Sequence, residues 1–137
     1  MKKIKTLLFC ASVVFSVISQ TRAETIYRAT TTIGDKIFQD IITLETMNED
    51  VKNVGTLTVP GKFSVPIEAS IKRTEEDVNY GLGRYLFFKA TITENGQTFI
   101  VHYELISKEP AMNSFVGSLS DDAGSTLGHI VAAKIFN

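Results

Sequence analysis

The sequence predicts an all-β protein, a single small domain of about eight antiparallel strands that meander and close into a barrel. Three observations predict it. Stretches rich in Ile, Val, Thr and Phe recur at the spacing of roughly 8 to 12 residues that marks sandwiches and barrels. The turn pairs Gly34-Asp35, Pro60-Gly61 and Asn95-Gly96 fall between them. Beyond residue 23 no stretch carries a helical period of adequate length. The connections are too short for crossovers, so neighbours in sequence are expected to pair. A two-sheet sandwich built from the same strands is the alternative.

The first 23 residues, MKKIKTLLFCASVVFSVISQTRA, have the three parts of a secretory signal peptide. Lys2, Lys3 and Lys5 supply the charged start. Thr6 to Ser19 supply an apolar stretch too short to cross a bilayer as a helix, which takes about 20 residues. Thr21-Arg22-Ala23 puts a small residue at each position that a signal peptidase reads. Cleavage is expected before Glu24, with residues 24–137 forming the β domain in the periplasm or outside the cell and no membrane span left. Cys10 follows Phe9, where lipoprotein processing needs a small residue, so it is expected to leave with the signal. The remaining chain then has no disulfide, no thiolate nucleophile and no Cys-ligated zinc. Of 14 Lys and Arg, 10 remain against 15 Asp and Glu, a net charge of −5 on 114 residues. Only Lys72-Arg73 are adjacent, and a phosphate backbone needs clustered cations, so no nucleic-acid partner is expected.

The elements follow in order. Thr25 to Ile33 and Lys36 to Glu45 flank Gly34-Asp35, a pair with Gly first that suits a type II′ hairpin. After the polar break MNEDVKN, Val54 to Val59 and Lys62 to Arg73 flank Pro60-Gly61, where Pro fixes φ and Gly takes the positive φ of a type II turn. The charged loop TEEDVNYGLG leads to Arg84 to Glu94 and Gln97 to Ser107 around Asn95-Gly96, the strongest short hairpin signal. After KEPAMN, Ser114 to Ser120 and Thr126 to Phe136 enclose DDAGS. At the level of fold alone the meander resembles lipocalin-like barrels and the small periplasmic barrels that inhibit lysozyme. It lacks the Trp of the lipocalin G-x-W and the cysteines of the inhibitors.

The Asn95-Gly96 hairpin fixes two faces. With those residues as the loop, Ile92 pairs with Phe99, Ala90 with Val101, Phe88 with Tyr103 and Leu86 with Leu105, all on one apolar face. The other face pairs Thr91 with Ile100, Lys89 with His102 and Phe87 with Glu104. A slip of one residue would bury Lys89, His102 and Glu104 together, which sets the register. The candidate binding residues are therefore Tyr85, Phe87, Lys89, Ile100, His102 and Glu104, in which apolar anchors alternate with charges as they do where proteins bind proteins. The plainer reading makes His102 an exposed cross-strand neighbour of Lys89 and has another segment cover the face.

Other constellations carry less. His129 alternates with Leu127, Val131, Ala133 and Ile135 and is expected to be buried or half-buried, bonded to backbone. With two His in the chain and no ligand spacing, neither a metal nor a cofactor is expected. Asp121-Asp122-Ala123-Gly124 reads as a turn rather than a calcium loop, and Glu75-Glu76-Asp77 as a solvated loop. Ser125 occupies a turn and not a strand-to-helix elbow, so no nucleophile and base come together and no enzyme is expected. Three functions remain: a non-catalytic binding module that contacts a protein partner, a second copy or a small ligand through a sheet face or barrel mouth; an envelope assembly subunit that pairs through edge strands; and a small hydrolase with dispersed residues. A hollow barrel would admit a small apolar ligand.

Overall fold

The computed structural model describes residues 24–74 and 83–136, so the expected signal segment and most of TEEDVNYGLG lie outside the described residues. Eight strands run β1 Thr25–Ile33, β2 Lys36–Leu44, β3 Lys52–Val59, β4 Phe63–Thr74, β5 Gly83–Glu94, β6 Gln97–Ser107, β7 Ser114–Ser120 and β8 Thr126–Phe136. Each pairs antiparallel with the next, and β8 returns to β1, so the sheet is a closed barrel with its strands in chain order. The closing ladder runs from Ile26 opposite Phe136 to Thr32 opposite His129. Closure removes both sheet edges and rules out the sandwich.

The turns form as their residues dictate. Asn95 and Gly96 both take positive φ, 53° and 77°, which is the I′ geometry whose twist matches the flanking strands. The β5–β6 ladder then runs in the expected register from Glu94 opposite Gln97 to Arg84 opposite Ser107. In the Pro60-Gly61 turn the Lys62 amide donates to the Val59 carbonyl at 2.9 Å. β3 begins at Lys52, inside the expected polar break. The reason is Asn53, which points inward, is fully buried and ties down the preceding loop.

Alternation places one side chain in two inside the barrel. Tyr27 meets Phe115 with ring centroids 5.3 Å apart, and Phe88 stacks on Tyr103 at 4.5 Å. Ile42, Leu44, Leu57, Ile71, Leu86, Leu105, Leu119 and Ile130 fill the space around them. A fully buried aliphatic or aromatic side chain is worth about 1.5–3 kcal/mol, so this interior dominates stability. Small residues sit where bulky ones face them: Ala132 lies in register between Phe115 and Ala29. That packing decides the phase of β8 and corrects the expectation for His129. Gly128, Ile130 and Ala132 point inward, while His129 is exposed on the outer face between Thr32 and Ser118. The bulkier set, Leu127, Val131 and Ile135, looks like core in sequence but would not fit beside Tyr27 and Phe115.

The two ends differ. One is sealed by the β2–β3 and β6–β7 loops. Asn53 Oδ1 accepts from Thr46 Oγ1 (2.7 Å) and the Asn48 amide (2.8 Å), and its Nδ2 donates to the carbonyls of Asn48 and Ala69. Glu49 lies 2.9 Å from Arg73 Nε and 2.7 Å from the buried Arg84 Nε. The Arg73 guanidinium first, then Arg84, holds the Glu49 carboxyl below its ordinary range. On the other side Tyr27 Oη donates to the Met112 carbonyl at 2.5 Å and Lys134 Nζ to that of Ala111 at 2.9 Å. The opposite end carries the four hairpin turns. There the ladders stop short, β2 pairing with β3 only over Ile41–Leu44 and β4 with β5 only over Ser70–Thr74. Pro66, which has no amide to donate, lies in the part of β4 that pairs with β3 but not with β5.

Candidate functional site

The splayed hairpins enclose a cavity of about 350 Å³ that opens at this end of the barrel. Its floor is set by buried groups: Thr31 and Asp40, each 2% exposed, with Tyr103 and Leu119. Ile33, Phe38, Phe63, Ile92, Phe99 and Val101 form the wall, and Lys36, Lys62 and Glu94 stand at the exposed rim. Each strand delivers its residue by alternation. Lys36, Phe38 and Asp40 are successive inward positions of β2, in phase with Ile42 and Leu44 deeper in the core. Ile92 and Val101 continue the apolar face of the β5–β6 hairpin toward its tip.

Asp40 is the unusual member. Thr31 Oγ1 donates to its Oδ2 at 2.6 Å across the β1–β2 ladder. Its other oxygen, Oδ1, is buried and has no hydrogen-bond partner among the described residues. An unsatisfied buried acceptor costs free energy, and a charged one costs more. Burial accordingly pushes the Asp40 carboxyl above its ordinary value, against the opposing Thr31 hydrogen bond. The Tyr103 hydroxyl is raised by burial and then by the Asp40 carboxylate. The arrangement is an aromatic and aliphatic cup with one underused acceptor in its floor.

The six residues singled out from the sequence lie elsewhere, on the outer surface of β5 and β6. Their pairing is as expected: Lys89 opposite His102, Phe87 opposite Glu104, Thr91 opposite Ile100. Tyr85 stacks on Phe87 at 5.8 Å, and all six are exposed or half-exposed. Within that face the contacts diverge. Phe87 and Lys89 line a shallow groove with Lys52 and Glu68, whereas His102 turns to the β7–β8 turn and its Nε2 lies 2.7 Å from Asp122 Oδ1. The turn itself is held by Asp121 Oδ1, which accepts from the amides of Ala123 and Ser125. The outer face does extend further than the hairpin. Tyr85, Ile106, Val116 and Val131 stand directly opposite one another across β5, β6, β7 and β8, with Val116 and Val131 more than half exposed.

Sequence reading missed Asp40, although its signal was present. Within Lys36 to Leu44 it alternates with Phe38, Ile42 and Leu44, an acid on an apolar face, and such a residue is seldom buried without a reason. Compared with protein families, curated proteins and solved structures, the chain matches none of them.

Proposed function

We propose that the protein is an exported, non-catalytic binding module that takes a small, largely apolar ligand through the open mouth of its barrel. The observation that carries this is the cup of about 350 Å³ at one end of the barrel, above the core that the described residues pack, within the size range of small-molecule sites and lined, as they are, by apolar groups with few polar ones. Export rests on the signal-like first 23 residues. The charged outward residues Arg28, Lys52, Glu68, Lys72, Lys89 and Glu104 suit a barrel in water better than one in lipid. Pairing through edge strands is disfavoured because β1 and β8 pair with each other.

A fluorescence titration with the neutral apolar dye 1-N-phenylnaphthylamine tests the reading. The wild type should bind it with enhanced emission. Val101→Trp, which fills the cup from the half-buried wall, should reduce binding about tenfold or more with the circular-dichroism spectrum unchanged, since displaced cavity volume is lost contact. Equal binding by both proteins, or none by the wild type, rejects it.

A second reading has support from the outer row Tyr85, Ile106, Val116 and Val131. Contiguous exposed apolar surface of this kind marks contact with a protein partner or a second copy.

A further inference from the structure

Resting on that reading of the cup, we infer that its ligand is an organic cation, an ammonium group carried on an apolar body, with the charged nitrogen donating to Asp40 Oδ1. Three features converge on this chemistry. The buried Oδ1 lacks a donor, while Oδ2 is already engaged by Thr31. Oδ1 is already desolvated, and neither a neutral apolar ligand, which brings no donor, nor an anionic headgroup, which would meet a carboxylate, relieves it. A cationic N–H donor supplies the missing hydrogen bond and the opposite charge in one contact, and charge-assisted bonds are about twice as strong as neutral ones.

The wall adds the second feature. Phe38, Phe63 and Phe99 border the same cavity, and Tyr103 lies in its floor. Aromatic faces attract cations through their quadrupole, more so when water is excluded. The third is the placement of the competing charges. Lys36 and Lys62 are exposed at the rim, where long stems keep their ammonium groups in water, and Glu94 stands with them. The deep position next to Asp40 is thus left to the ligand.

A matched series on one carbon skeleton tests this: 4-phenylbutylammonium, 4-phenylbutanol and 4-phenylbutanoate, each titrated into the purified protein and followed by calorimetry. The ammonium should bind about tenfold or more tighter than the alcohol, and the carboxylate weakest, the tenfold being the lower range for a hydrogen bond to a charged group. Asp40→Asn should erase the preference for the ammonium and leave the alcohol within about threefold of its wild-type affinity; the wild-type series stands alone should this variant not fold. Equal binding of alcohol and ammonium, or tightest binding of the carboxylate, overturns the inference while leaving the cup a ligand site. Binding of none of the three overturns both.

Discussion

Asp40 is a residue that costs the fold stability, and its titration gives the cost a sign. The folded state holds its carboxyl above the ordinary value of 3.8 because burial penalises the charge. The folded protein therefore binds this proton more tightly than the unfolded chain does. Stability is highest below the ordinary value and declines as pH rises through the raised one. Asp40→Asn keeps an acceptor for Thr31 and removes the buried charge. It should be more stable than the wild type at pH 7 by on the order of 1 kcal/mol, roughly 5 °C in Tm for a domain of this size. The difference should shrink toward zero near pH 3.5. Thermal melts at the two pH values check this, and a variant less stable at pH 7 would mean that Asp40 holds the barrel together rather than serving its cavity. Stability given up at one buried position is what a binding role predicts.

Among the strands, tight barrel closure rests on close backbone approach. Gly117 on β7 is the clearest case, since a Cβ built there would lie 2.0 Å from the Glu104 carbonyl of β6 and 2.7 Å from Leu105 Cα. These are backbone atoms that cannot rotate aside. Gly117→Ala should therefore destabilise by about 1–3 kcal/mol through forced displacement of β6 from β7, measured by urea unfolding. The sequence makes this scale readable only in part. Asn95-Gly96 determines the β5–β6 register by itself, because positive φ at both positions admits one turn and the apolar face admits one phase. His129 goes wrong because alternation specifies two faces without saying which is inside. The answer for β8 lies on other strands, in the bulk of Tyr27 and Phe115. Asp40 was visible as an acid in phase with Phe38 and Ile42, but that its Oδ1 goes unbonded while Thr31 holds Oδ2 depends on β1 and β6 neighbours that no local pattern reveals.

At the scale of the whole barrel, function follows from asymmetry between the ends. Eight strands leave an interior just wide enough for side chains to fill. Here they fill it from the sealed end to the level of Asp40 and Tyr103, with Asn53 and the Glu49 pairings to Arg73 and Arg84 fastening the loops below. Those contacts join segments far apart in sequence, so which end is sealed could not be read from the chain. Above Asp40 the hairpins separate and the cup begins. The outer row from Tyr85 to Val131 is the rival surface, and the two are distinguishable in one experiment. Amide chemical-shift mapping of the 15N-labelled protein with 4-phenylbutylammonium should move resonances around the mouth, at Ile33, Phe38, Asp40, Phe63, Ile92 and Val101, and leave Tyr85, Ile106, Val116 and Val131 in place. Shifts confined to that outer row, or no shifts with the ammonium, the alcohol or the carboxylate, would contradict a ligand site in the barrel mouth.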